Sequence, residues 1–286
     1  MRKTCQLQES QVGPVWYESP LLAGAGVPHA FSTRLGGVSP PPFDSLNLGN
    51  PNGYDVQDLT ARIQENYRLL MTAIGAAERT LLKVHQMHGC QVAIDGELAG
   101  TSAEENFPIW NSSRMADAIV TTNPHHLASV RVADCVPVLL SAADGSAVAA
   151  VHAGWRGVVG GVVKNALEQL RGIRPNTPIL AAIGPCIGME AFEVGPEVLE
   201  AFETLLGTRA PMVRRFNGKG NVDLRQCIAY QLQSAGVSDS QIDTTDRCTA
   251  RHGAEFFSHR RDKGLTGRMA AMIGTKPINR EPPTTH

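Results

Sequence analysis

Apolar residues recur at helical spacing in four stretches of the chain, 56–73, 157–170, 196–206 and 223–235, and each predicts an amphipathic helix. Short apolar runs bounded by turn residues occupy 128–132, 136–141, 147–152, 179–183 and 269–273 and predict strands. Helices and strands alternate in places, but hairpins interrupt them. That order favours an α/β sandwich with mixed sheets over a doubly wound parallel sheet. No repeat, low-complexity stretch or Pro/Ser-rich linker divides the chain, so one domain is expected over 10–275, with a frayed tail at 276–286.

One pattern has chemical content. In VADCVPVLLSAADGSAVAAVHAGWRG two apolar strands flank Ala143-Asp144-Gly145-Ser146, and Asp-Gly is a strong hairpin signal. A regular antiparallel pair closed there sets Ala143 opposite Ser146 and Cys135 opposite Gly154. His152, two positions from Gly154, then shares a face with Cys135. Diagonal neighbours on one face lie roughly 7–8 Å apart at Cα, so a thiolate and an imidazole can converge on one ion. A third donor is offered by Lys83-Val84-His85-Gln86-Met87-His88-Gly89. Read as an extended segment, it points His85 and His88 to opposite faces, so one of them reaches the hairpin face. The spacing leaves open which.

Composition narrows the partners. A hydrophobic fraction of 42% with 28 Gly and 18 Pro describes a loop-rich globular chain and excludes a disordered one. A net charge of -1 and 5% aromatic residues provide neither a basic footprint nor a stacking platform, so no nucleic-acid partner is expected. No apolar run is long enough to span a bilayer, and none follows the basic start MRKTCQLQESQVG. Neither a membrane nor a secretory signal is expected, and a cytoplasmic location is. The six cysteines, at 5, 90, 135, 186, 227 and 248, form no CxxC pair, which argues against a disulfide scaffold or a zinc knuckle. No phosphate-cradling glycine motif follows a strand, so the partner expected is a small molecule without a nucleotide cofactor.

Eight segments in order, FSTRLGG (31–37), SLNLG (45–49), QMHG (86–89), ADAIVT (116–121), ADCVP (133–137), VHAGWRG (151–157), IGPCIG (183–188) and FFSHRRDKGLTGRMA (256–270), resemble the YfiH-type laccase-domain family. That family is also described as purine nucleoside phosphorylase, polyphenol oxidase or peptidoglycan editing factor. The resemblance covers about residues 30–275. It implies a four-layer α-β-β-α fold related to cysteine hydrolases, and a zinc site formed here by His88, Cys135 and His152. It thereby selects His88 over His85, leaving His85 a structural or supporting role. Met87 stands where the family usually has a β-branched residue, and Gly264-Leu265 precedes the final TGR.

Three protein ligands leave one position of a tetrahedral zinc ion for water or substrate, as in catalytic sites. Zn(2+) is the expected ion, and Cu(2+) would compete for the same donors. Asp134, beside a ligand, is a candidate proton shuttle or ligand-orienting group. Arg34, Arg260 and Arg261 are candidates to hold phosphate, because a guanidinium fork suits an oxyanion. Asn47 is a candidate for a ribose hydroxyl. The resemblance implies phosphorolysis of adenosine, inosine and methylthioadenosine and deamination of adenosine. Hydrolysis of a cell-wall precursor at the same metal is the alternative, or with Cys135 as nucleophile and His152 as base. A copper polyphenol oxidase is a further alternative but is disfavoured, since multicopper centres consume many histidines, usually in HxH pairs, and the chain has nine histidines and no HxH. A metal-stabilised binding module would need a fourth protein ligand, for which Cys186 or His259 are the candidates.

Overall fold

The structure, a computed structural model, describes residues 5–11, 13–97 and 109–277. The tail expected to fray lies outside these from residue 278 onward. Sixteen strands and six α-helices are present among the described residues. In chain order the strands are β1 (Gln6–Glu9), β2 (Val15–Glu18), β3 (His29–Ser32), β4 (Thr80–His85), β5 (Val92–Ile94), β6 (Ile109–Met115), β7 (Ala118–Thr121) and β8 (His126–Val132). There follow β9 (Val136–Ala142), β10 (Val148–Ala153), β11 (Ile179–Ile183), β12 (Glu193–Val194), β13 (Met212–Arg214), β14 (Gly220–Val222), β15 (Ile242–Asp243) and β16 (Met269–Ile273). The helices are α1 (Pro20–Gly24), α2 (Thr60–Ala73), α3 (Trp155–Val159), α4 (Val162–Ile173), α5 (Pro196–Leu206) and α6 (Leu224–Ser234).

Two large sheets carry the fold. One runs β1-β2-β3-β16-β8-β4-β6 and the other β15-β11-β9-β10-β7-β5, with a small sheet β12-β14-β13 beside them. Both large sheets are mixed: β4 is parallel to β6 and β8, β5 to β7, and β11 to β15, while the other pairings are antiparallel. Alternation along the strands sorts side chains into three cores. Val130, Val132 and Phe31 of the first sheet meet Ile119, Leu139 and Ala150 of the second in the inter-sheet core. The opposite face of the first sheet, with Ala30, Leu81 and Met272, is covered by Tyr67, Leu70 and Met71 of α2. The opposite face of the second, with Val138, Leu140 and Val151, is covered by Leu167 and Leu170 of α4 and Ile228 of α6. The result is the expected α-β-β-α sandwich. Each fully buried Leu or Phe in these layers contributes roughly 1.5–3 kcal/mol.

Strands 179–183 and 269–273 fall where the pattern predicts them. Two helices do not. The stretch 157–170 is not one helix but two, α3 and α4, parted at Gly160-Gly161, because Gly161 adopts φ +78° and ends the right-handed path. The helix expected from 56 starts at Thr60. The Asp58 carboxylate accepts from Asn47 Nδ2 and Leu59 N and holds the preceding residues in a loop.

Candidate metal centre

The hairpin register is the predicted one. Ser141 pairs with Val148, Val138 with Val151 and Val136 with Ala153, which carries Cys135 opposite Gly154. Gly145, at φ +75°, turns the chain between the two strands. Cys135 therefore sits just before β9 and His152 near the end of β10, at one end of the sandwich. Gly154 is needed there: a Cβ on it would lie 3.0 Å from His88 Cδ2 and 3.1 Å from Cys135 Sγ.

His88 arrives by a route the pattern misjudged. The segment after β4 is not extended but turns sharply, with His88 at φ +59°. The turn is wrapped around the buried carboxylate of Asp117, which accepts from Met87 N at 3.2 Å, His88 N at 2.9 Å and Gly89 N at 2.7 Å. The same carboxylate accepts from His152 Nδ1 at 2.8 Å, leaving Nε2 as that ring's free nitrogen. The backbone of Asp117 also takes His152 N at 2.7 Å. One aspartate thus orients two of the three donors.

The ligand atoms of His88, Cys135 and His152 all lie within 4.8 Å of one another, and the two imidazoles meet edge to face at 4.8 Å between ring centroids. Among the described residues no fourth His, Cys, Asp or Glu joins them. Burial would push the Cys135 thiol up, but the neighbouring His152 and His88 outweigh it and bring the thiol down to about 6. Burial would lower His152, but the Cys135 thiolate and Asp117 raise it to about 9. Each group thus favours the charged form of the other, thiolate beside imidazolium. Two imidazoles and a ready thiolate fit a borderline-soft divalent ion such as zinc.

The three donors line a cavity of about 410 Å³, within the range of small-molecule sites. Trp155, Ile187, Phe192 and Leu224 make part of its wall apolar, while Arg131, Arg156, Arg260 and Arg268 make it cationic.

The family model described as multi-copper polyphenol oxidoreductase laccase matches residues 28–276. The chain belongs to this laccase-domain family. It is 40% identical over 248 residues to a Shigella flexneri protein named purine nucleoside phosphorylase YfiH, covering 87% of this chain and 93% of that one. It is 37% identical over 259 residues to a Deinococcus radiodurans protein named purine nucleoside phosphorylase, covering 89% and 92%. The crystal structure of YlmD from Geobacillus stearothermophilus superposes with a TM-score of 0.81 at 30% identity, covering 94% of this chain and 98% of that one.

The other residues picked out in the sequence for their chemistry divide. Asp134 and Arg260 line the cavity. Asp134, at φ +85°, accepts from Thr249 Oγ1 at 2.6 Å, Ser258 Oγ at 3.1 Å and Arg260 N at 2.6 Å, so its carboxylate already pins the loop 258–260. Arg260 donates to the carbonyls of Ala191 and Glu193 and lies 5.4 Å from the Phe192 ring centroid. Arg34, Asn47 and Arg261 do not line the cavity. Arg34 is paired with Asp44 at 3.0 Å and stacked on Phe257. Arg261 forks onto Asp262 and also donates to the carbonyls of Thr249 and Phe256. Asn47 is buried, with its Oδ1 accepting from Gly49 N and Arg268 N. Of the two candidates for a closing ligand, Cys186 is buried against Arg225, and His259 lines the cavity without joining the donor group.

Asp117, Arg131 and Arg268 are the residues the pattern alone did not single out. Asp117 lies inside the ADAIVT segment and Arg268 inside the TGRMA segment, but strand polarity gave neither a chemical role. Among the described residues, no helix is long and apolar enough to cross a membrane.

Proposed function

We propose that this chain is a metal-dependent purine nucleoside phosphorylase that cleaves adenosine, inosine and methylthioadenosine and also deaminates adenosine. The observation that carries the reading is the convergence of His88, Cys135 and His152 in the wall of a cavity large enough for a nucleoside. The relatives named purine nucleoside phosphorylase support the substrate class. In phosphorolysis a phosphate oxygen forms a bond to the ribose C1 while the C1–N bond breaks, and the purine leaves with a proton on the departing nitrogen. Zinc bound by these donors would supply a Lewis acid with one open coordination position. Trp155, Ile187 and Phe192 offer an apolar surface for a flat base. Asp117 keeps the Nδ1 proton of His152 in place, and the cavity arginines receive the anion.

The multi-copper description does not transfer to these residues, because a single three-donor group is present among those described. Copper(II) would still compete for that one site.

A second reading rests on one specific observation: Cys135, His152 and Asp117 follow one another as a nucleophile, base and orienting carboxylate do. A thiol hydrolase acting on an amide of a cell-wall precursor would use them without metal. Chelation separates the two. A nucleoside and precursor panel on metal-quantified protein, wild type against Cys135→Ala, is the test. The phosphorylase reading expects metal content and phosphorolysis to fall together, the latter by at least ~10²-fold. Undiminished phosphorolysis by metal-free Cys135→Ala protein refutes it.

A further inference from the structure

Two arginines outside the sequence-derived set share the cavity wall. Arg131 is the last but one residue of β8 and pairs across the ladder with Ala270. Arg268 precedes β16, two positions from Ala270, so both side chains leave the same face of the first sheet as diagonal neighbours. That face packs against α2 through Ala30, Leu81, Leu127, Ala270 and Met272, and both arginines line the cavity.

Their backbones are held as a site would be. Gln86 bridges the Arg131 peptide, donating to its carbonyl at 2.8 Å and accepting from its N–H at 2.9 Å. Asn47 Oδ1 accepts from Arg268 N at 3.0 Å. Gly49 makes room for both, since a Cβ there would stand 2.9 Å from Arg131 Cδ and 3.5 Å from Arg268 Cβ. Asn50 and Asn52 of the same loop line the cavity beside them.

Most of their donors are left unused by protein. Arg131 has no hydrogen-bond or ion-pair partner for its guanidinium among the described residues, and Arg268 spends only Nη1, on the carbonyls of Thr266 and Gly267. Asp134 is the single carboxylate among the lining residues, and its oxygens are already bound to Thr249, Ser258 and Arg260 N. Burial and the charge of Arg131 lower the Arg268 pKa, against Asp134, Cys135 and Tyr54, which raise it. Arg260 likewise spends only Nη1, on two carbonyls, but it is exposed and lies over the Phe192 ring, and the exposed Arg156 is stacked on Trp155. Two half-buried guanidinium groups with free donors, beside one carboxylate whose oxygens are already taken, match a tetrahedral dianion held by two forks.

We infer that Arg131 and Arg268, presented by Gln86, Asn47 and Gly49, form the subsite that binds inorganic phosphate in this cavity. The identity of the anion rests on the phosphorylase reading; the existence of an anion subsite does not. The subsite also gives Asn47 and Gln86 a positioning role, exerted through the backbones of Arg268 and Arg131.

The test titrates the zinc-loaded protein with inorganic phosphate alone, and separately with adenosine 5′-monophosphate, by calorimetry. Arg131→Gln, Arg268→Gln, the milder Arg131→Lys, and Lys164→Gln on exposed α4 as a charge control are compared, with folding checked by thermal unfolding. Saturable phosphate binding by wild type and Lys164→Gln, weakened at least ~10-fold by each arginine-to-glutamine change, is the expected result. For phosphorolysis, KM for phosphate should rise in these variants while KM for nucleoside and zinc content hold. No saturable phosphate binding by wild type, or unchanged binding in folded Arg131→Gln and Arg268→Gln protein, overturns the inference. Binding of the monoester but not of free phosphate overturns the choice of anion. A wild type whose phosphate binding depends on both arginines but which forms no ribose 1-phosphate upholds the subsite and refutes the phosphorylase reading.

Discussion

Asp117→Asn changes one oxygen to nitrogen and should disarm the metal centre. The carboxylate accepts four N–H groups, two on each oxygen: His88 N and His152 Nδ1 on Oδ1, Met87 N and Gly89 N on Oδ2. An amide keeps one acceptor and turns its NH₂ toward the other pair, whichever way it is oriented. With the NH₂ toward Oδ1's partners, His152 must accept at Nδ1, so Nε2 carries the proton and cannot ligate. With the NH₂ toward Oδ2's partners, the turn that carries His88 loses its anchor. Bonds to a charged acceptor are worth about 1.5–3 kcal/mol each, so losing two removes about 3–6 kcal/mol of local order. Part of that loss is shared by the metal-free state. The share seen in metal affinity should be ~10–100-fold, or about 1.4–2.7 kcal/mol. The assay is zinc competition against a chromophoric chelator, with wild-type and variant unfolding followed in parallel. A variant that binds zinc within a factor of ~2 of wild type would refute the claim that Asp117 orients the donors.

In metal-free protein the Cys135 thiolate, followed by its ultraviolet absorbance, should form with a midpoint near pH 6. Its folded-state value lies below the ordinary 9.0, so its contribution to stability is full above pH 9.0 and is lost as pH falls through about 6. His152 behaves oppositely: raised from 6.5 to about 9, it stabilises fully below pH 6.5 and ceases to do so as pH rises through about 9. Replacing His152 by Gln should move the thiol midpoint upward, and a midpoint left near 6 would contradict the pairing. Gly154→Ala brings a methyl to within 3.1 Å of both His88 and Cys135, so zinc affinity should fall while the fold loses no more than about 1–3 kcal/mol, checked by the same competition assay and by denaturant unfolding.

Local pattern was enough for the parts of this protein in which neighbours in sequence decide the outcome. The Asp144-Gly145 turn and the flanking alternation set the register of β9 and β10, and that register alone brings Cys135 and His152 together. The same alternation supplied the mixed sandwich, because every strand must bury at least one face. Helix ends were less legible: α3 and α4 are parted by one left-handed glycine inside a continuous apolar stripe, and α2 is shortened by the contacts of Asp58 with Asn47 and Leu59.

The remaining parts depended on contacts between distant segments. His85 and His88 carry the same chemistry three residues apart, and only the buried Asp117, 29 positions from His88, turns the chain so that His88 faces the thiol. Arg34 and Arg261 have the residue type for an anion but are consumed by Asp44 and Asp262. Arg131 and Arg268 gain their free donors because β8 and β16 are adjacent in the first sheet, a pairing across more than a hundred residues. Residue type sets what a side chain can bind. Whether it remains free to bind depends on the partners that packing has given it, and those belong to the tertiary structure.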